Sequence, residues 1–431
     1  MTYSISIYSW PVSLIKELER GIRNFIWSSD KDNRKMVTVA WKKMCRPMKQ
    51  GGLSLRSLQS LNSATNLHLC WTLLKSDKSW TKLLKDRVIR GGRTIQHHIY
   101  SSIWSSIKEE FTTITANSTW LLGNGESINF WNDSWCGPPL AEIFNTPKHI
   151  SRELSSNVND FILNGQWNIP LQLQQRFHNL RHLVQQVTIP MELATDSLQW
   201  KHTQSGDLNL KEAYTFKQPQ FQELHWAKVI WTADVPPSKS LFVWRVMHDK
   251  LPTDENLMLR GGNIPSMCNQ CLKHVETSFH IFFTCPFAIN IWSWLAYALN
   301  LFLNFTCLED IWKICDMNWS SQCKVVVTSA LINLFNIIWF VRNQARFCSK
   351  NITWRHAITM ITSATSLAGN ATSKASNNSM RDFTILKIFN VATHQPRTPM
   401  VKEVIWSPPH FNWLKCNIDG ASNGNPGPSA Y

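Results

Sequence analysis

The sequence predicts a mixed α+β protein, mainly helical, with small β-hairpins and one metal-nucleated module. Three observations predict it. Apolar residues recur at helical spacing over several long stretches. Alternating stretches are few and short, and they break at Gly-rich turns. Finally, Cys268-Asn-Gln-Cys271, followed by His280 and Cys285, gathers four soft donor atoms in one short segment. The 431 residues allow two or three domains and a core that needs no disulfides. A hydrophobic content of 43% is that of a globular chain, not a disordered one.

The spacing C-x2-C-x8-H-x4-C is longer than a retroviral-type zinc knuckle and shorter than a two-histidine finger. Two thiols on a tight turn, then a His and a third Cys, supply the ligands of a closed tetrahedral Zn2+ site. The predicted ligands are Cys268, Cys271, His280 and Cys285, with His274 as a spare candidate. A short helical turn is expected to point His280 and Cys285 inward while Phe279, Phe282 and Phe283 pack beneath the metal. A metal-free buried cysteine cluster and a redox Cys-x-x-Cys pair are the alternatives. Neither accounts for His280 and Cys285 following in the same segment. The other cysteines are scattered and the total of eleven is odd, which fits a reducing compartment.

Charge is the second signal. The net charge is +15, and residues 1–110 hold 19 Lys and Arg against 8 Asp and Glu, a surplus of 11. A concentrated positive field interleaved with Trp suits a polyanion, and a solvated helical face is the blander reading. Met1 to Trp10 lacks the basic start and small-residue cleavage site of a signal peptide. The apolar run Val325 to Val341 is short for a membrane span and contains Asn333 and Asn336, so it is expected to be a buried helix.

In chain order, residues 12–27 place Ile15, Leu18, Ile22, Phe25 and Ile26 on one helical stripe, with Lys16, Arg20 and Arg23 on another side. After a charged turn come Trp41-Lys42-Lys43, Cys45-Arg46-Pro47 and Gly51-Gly52-Leu-Ser-Leu-Arg56, then a Leu-rich helix from 58 to 74 containing Trp71. This ordered series resembles the segment that follows the polymerase domain in plant LINE-type (non-LTR) retrotransposon polyproteins. The resemblance implies backbone contacts to RNA or DNA, for which Lys16, Arg20, Arg23, Lys42, Lys43, Arg46 and Arg56 are the candidate residues. It also implies a nuclear location.

Trp120 to Trp135 alternates around Gly123-Asn-Gly125 and reads as a β-hairpin. A phosphate loop is rejected there, because the third glycine, the Lys-Ser/Thr and a following helix are missing. A second hairpin is expected at 198–210 with a helix opening at Lys211, whereas residues 136–197 carry little signal. Pro236-Pro237 then forces an extended lead into a helix with Leu241, Trp244 and His248 on one face. Together with the Cys and His set, residues 224–294 resemble the reverse-transcriptase zinc-binding domain of the same retroelements, with all four ligands in place. His248 reads as packed or surface-exposed, not as a ligand.

Beyond a long apolar helix at 324–347, the Ser-, Thr- and Asn-rich stretch 362–380 reads as a linker. The strand at 413–419, ending on Asp419 and turning through Gly424-Asn-Pro-Gly427, resembles the opening of a ribonuclease H domain, whose first metal-binding carboxylate would be Asp419. That chemistry, as the family implies, gathers several carboxylates around two Mg2+ ions. One carboxylate is not such a site, and no Asp-Asp pair offers polymerase metals.

The expected division is a basic helical region 1–110, a hairpin-containing connector 111–223, a zinc-binding domain 224–300, a helical extension 301–361, a linker 362–403 and a ribonuclease H start 404–431. The expected function is nucleic-acid binding by an internal slice of a retroelement reading frame, without catalysis of its own. No membrane and no small-molecule substrate are expected as partners. The rivals are an RNA–DNA hybrid ribonuclease, implied by the family, and a domesticated zinc module for protein interaction.

Overall fold

The computed structural model describes residues 7–28, 39–90, 93–95, 99–190, 194–303, 305, 307–377 and 379–396, together with the backbone of 421–422 and 429–430. The expected strand at 413–419 and Asp419 lie outside the described residues. The chain is mainly helical, with only short antiparallel strand pairs among the described residues.

The principal helices are α1 (Val12–Ser28), α2 (Leu58–Lys75), α3 (Leu210–Lys217), α4 (Pro237–Met247), α5 (Pro286–Leu299), α6 (Ser321–Cys348), α7 (Trp354–Ala371) and α8 (Met380–Ile388). Several begin for a legible reason. The Ser57 hydroxyl caps α2, and the Glu19 carboxylate of α1 takes a further hydrogen bond from the Leu58 N–H at 2.9 Å. Asn209 and Glu212 form a capping box at α3, while α4 and α5 open on Pro237 and Pro286.

The helix boundaries of α1, α2, α4 and α6 follow the apolar periodicity closely. The stripe on α1 behaves differently from expectation. Ile15 is buried, but Ile22, Phe25 and Ile26 are exposed, Phe25 at 60%. Leu241, expected to share a face with the buried Trp244, is 39% exposed. Periodicity fixes which residues share a face; it does not supply a neighbour for that face.

Three apolar cores organise the described residues. The largest is built on α6, whose apolar run is long enough to cross a membrane yet is 72% buried within the protein. Trp244, Phe282, Trp292, Trp312 and Phe335 pack there, joined by Val39, Trp41 and Met44 from far upstream. A second core holds α2, α3 and the strand pair β1 (Ser118–Leu121) with β2 (Ser197–Trp200). A third, inserted between those strands, is aromatic: Phe130, Trp131, Trp135 and Phe161 pack with Trp167 and Phe177 beside them.

This arrangement corrects two expectations. The hairpins at 120–135 and 198–210 do not form; each contributes one strand, paired antiparallel with Trp120 opposite Leu198. Short alternating runs carry no information on their partner, and here it lies almost eighty positions away. The stretch 362–380 is not a linker either. Ser, Thr, Ala and Gly in α7 let it lie close against α6, with Thr365 and Gly369 buried. Farther on, Gln322 of α6 binds the carbonyl of Ala392 at 2.8 Å and the N–H of His394 at 3.0 Å. Small polar residues were compatible with both a solvated chain and close helix packing, and tertiary contact chose the second.

The expected boundaries also shift. Residues 39–45 share the large core with 226–391, so neither 1–110 nor 224–300 is a closed unit. At the junction the Leu224 N–H donates to the Lys49 carbonyl at 2.8 Å.

Candidate metal centre

The Cys268–Cys285 segment turns twice to bring its donors together. The first turn closes with the Leu272 N–H on the Cys268 carbonyl at 2.9 Å, Leu272 adopting a positive φ of 52°, and the Cys268 N–H donates to the His274 carbonyl at 2.8 Å. The second is a π-helical turn, His280–Thr284, in which the Cys285 N–H reaches the His280 carbonyl at 2.8 Å. Such a wide turn, common at functional sites, aims two residues five apart into the same space. Pro286 then starts α5 and fixes the exit.

The donor atoms of Cys268, Cys271, His280 and Cys285 all lie within 4.8 Å of one another. Cys268 Sγ and Cys285 Sγ are 3.9 Å apart, and Cys271 Sγ is 3.3 Å from His280 Nε2. Zinc–sulfur bonds of about 2.3 Å and zinc–nitrogen bonds of about 2.0 Å demand donor separations of roughly 3.5–3.8 Å around a tetrahedron. The set therefore fits a zinc ion. His280 Nδ1 lies 3.1 Å from the Thr284 hydroxyl, which orients the ring so that Nε2 faces the sulfurs.

The cysteines sort by environment. Burial, with Glu19 and Glu110 adding repulsion, pushes Cys45 and Cys70 up to about 12. Burial takes Cys136 and Cys315 to about 11. Cys268 moves the other way, pulled down by the hydrogen bond with Cys285, while that same bond and burial push Cys285 up. The position that favours a thiolate, the form that ligates zinc, lies inside the cluster.

The surroundings of the cluster were only partly foreseen. Phe282 is buried beneath it, but Phe279 is 60% exposed and does not pack there. Phe279, immediately before the π-turn, faces outward against Phe283, ring centroids 5.3 Å apart. His274 is exposed and is not part of the donor set.

A buried ion pair also went unread. Glu276, in the loop between Cys271 and His280, is fully buried and receives Arg342 Nε at 3.0 Å, a second bond from Arg342 Nη2 and one from Arg346 at 3.3 Å. The metal loop is thereby fastened to α6. The only sequence signal was a lone Glu in a polar stretch and an Arg ending an apolar run.

The candidate nucleic-acid residues fall in three places. Lys16, Arg20 and Arg23 lie along α1, the first two exposed. Lys42 is exposed, and Lys43 and Arg46 are half-buried, near the Gly51 turn; Arg56 is exposed just before α2. None forms an ion pair with another described residue. The Gly123–Gly125 turn is a cradle of amides already filled: the N–H groups of Gly123, Gly125 and Ser127 donate to the Asp196 carboxylate at 2.8, 2.9 and 2.8 Å. Gly125 needs its φ of 74°, and a Cβ there would meet the Asn159 nitrogen at 2.8 Å.

A closed Cys3His knot fastened to a helical core is the signature of a structural zinc domain. Residues 209–292, which enclose all four donors, match the family described as zinc-binding in reverse transcriptase. Over 449 aligned residues the chain is 26% identical to the Arabidopsis thaliana protein named "Putative ribonuclease H protein", covering 99% of this chain and 68% of that one. It is also 25% identical over 138 residues to an uncharacterized mitochondrial protein of the same plant, covering 31% of this chain and 90% of that one. The resemblance to a retrotransposon polyprotein is borne out by these matches.

Proposed function

We propose that this chain is a zinc-binding, nucleic-acid-binding part of a retroelement reverse-transcriptase protein. One observation carries the reading: four soft donors converge within 4.8 Å inside the segment that matches a reverse-transcriptase zinc-binding family. Cys268, Cys271, His280 and Cys285 would hold the ion. With four protein ligands and no open position, the zinc supplies shape and not catalysis. The surplus of positive charge in residues 1–110 supports phosphate-backbone contact by Lys16, Arg20, Arg23, Lys42, Lys43, Arg46 and Arg56.

The test is metal analysis of the purified full chain. One zinc per chain, absent from Cys271→Ser, is the expected result; a folded chain without zinc would overturn the metal reading. RNA and DNA binding should weaken steeply with salt, and binding indifferent to salt would remove the electrostatic part. A second reading, hybrid cleavage, is favoured by the name of the first relative, which aligns along nearly all of this chain. Its measurement is Mg2+-dependent cutting of an RNA–DNA hybrid, with loss in Asp419→Asn expected if the reading is right.

A further inference from the structure

The Gly51–Gly52 turn joins two segments that are distant in sequence. The Gly51 carbonyl accepts from Trp244 Nε1 at 2.9 Å and lies 2.7 Å from His248 Nε2, so the turn is locked onto the end of α4. Gly51 sits at φ 77°, and a Cβ there would meet Leu224 at 2.8 Å. With the His248 ring held on the Gly51 carbonyl, the charges of Lys43 and Arg46 from one segment and of Lys250 from the other all reach that ring. The Arg46 guanidinium lies 3.7 Å over the Phe221 ring, and its buried Nε has no hydrogen-bond partner.

The neighbouring acids are already engaged. Asp249 takes the Ser278 hydroxyl at 2.7 Å and Asn256 at 3.1 Å, Glu223 pairs with Lys228, and Glu19 holds Ser57 and Leu58. The His248 ring senses the resulting field. Burial first, and then the charges of Lys43, Arg46 and Lys250, hold its imidazole below the usual range, against the opposing pull of its bond to Gly51.

We propose that Lys43, Arg46 and Lys250 form one seat for the phosphodiester backbone of a nucleic acid strand, with His248 fastening the Gly51 turn beneath it. The seat rests on the nucleic-acid reading above and deepens it, because the zinc-domain side contributes a cation that residues 1–110 alone do not contain. The locked turn fixes the backbone at Gly51 and the Phe221 ring supports Arg46, which lowers the ordering needed on binding. Arg46, stacked on Phe221, offers a planar donor to phosphate oxygens.

The experiment uses the full, zinc-loaded chain and fluorescently labelled single-stranded RNA and DNA of one sequence, titrated over a range of salt. Lys250→Gln and the pair Lys43→Gln with Arg46→Gln should each weaken binding several-fold. Each lost cation should flatten the log–log salt slope by roughly one. Lys387→Gln, on the exposed side of α8, is the control and should change neither. The His248 imidazole resonance gives an independent readout: its pKa should rise in Lys250→Gln and again when the strand binds. A parent chain that binds while both variants keep its affinity and slope overturns the seat and leaves the proposed function standing. A parent chain that binds neither strand at low salt overturns both. A His248 resonance untouched by saturating strand places the backbone elsewhere and also overturns the seat.

Discussion

Two polar knots in this molecule are built alike and balanced differently. At Gly123–Ser127, three backbone N–H groups surround a carboxylate that the chain itself supplies from Asp196. At Cys268–Cys285, three sulfurs and an imidazole nitrogen face one another, and no Lys or Arg among the described residues bonds to them. The first knot is satisfied from within, whereas the second has the composition and spacing of a cation site. A Gly-rich turn that resembles an anion cradle can thus be an internal fastening. Whether a loop is free to take a ligand depends on what the rest of the fold has already placed there.

Metal removal tests the contrast most strongly, since zinc on such a set is worth on the order of 10 kcal/mol of apparent binding energy. Chelation should strip hydrogen-exchange protection from residues 268–285 while α6 keeps its own, because α6 is held by the large core. Equal loss in both would mean that the metal nucleates the whole core. For the same reason an isolated 224–300 fragment is a poor vehicle: it leaves behind Trp41, Met44 and the whole of α6, on which the zinc segment packs.

Next in size is the ion pair behind the metal loop. Arg342→Met leaves Glu276 buried and short of its principal partner, and should cost about 3–5 kcal/mol in denaturant unfolding. Adding Glu276→Gln should recover part of that loss. A single variant within about 1 kcal/mol of the parent would show that the loop is not anchored there.

Asp196→Ala should cost about 2–3 kcal/mol, because it orphans three backbone donors, although water can reach part of this turn. The effect should stay in the inserted aromatic core and leave zinc content unchanged. Zinc loss in this variant would break the separation between the two knots.

Gly369→Ala probes the close packing of α7, since its new methyl would meet Val391 and Val326 at 2.7 and 2.8 Å. A melting loss of about 1–3 kcal/mol is expected, and a neutral result would favour the original linker reading.

The smallest effect belongs to Lys374→Met, which removes the 2.9 Å pair with Asp234 and should cost less than about 1 kcal/mol. Burial tends to raise the Asp234 carboxyl, but Lys374, Thr372 and Thr232 together hold it below the usual range. A depressed folded-state pKa stabilises above the unfolded value and is lost as pH falls through the folded one. The difference between parent and variant should therefore be present at neutral pH and vanish in acid. A difference that grew in acid would reverse the assignment.

The helices were legible because their signals are local. Pro237 and Pro286 opening α4 and α5, the capping Ser57 before α2 and the unbroken apolar run of α6 act within a turn or two of themselves. The four donors were legible for the same reason: soft ligands at close spacing need only short turns to meet. Partnership across the chain was not legible. Trp120 and Trp200 sit in runs that suit a hairpin with either neighbour, yet they belong to one strand pair. Thr365 and Gly369 suit a solvated linker as well as a helix pressed on α6.

By itself, then, the sequence determined where most helices begin and end, which four side chains form the metal knot, and that positive charge gathers in the first quarter of the chain. Only the tertiary structure decided that Asp196 fills the glycine turn, that Glu276 is tied to Arg342, and that His248 meets the Gly51 carbonyl. The physical reason is range. Dihedral preference, capping and ligand spacing act over a few residues, whereas burial of a charge or the pairing of a strand edge is settled by whichever distant segment the packed core brings alongside.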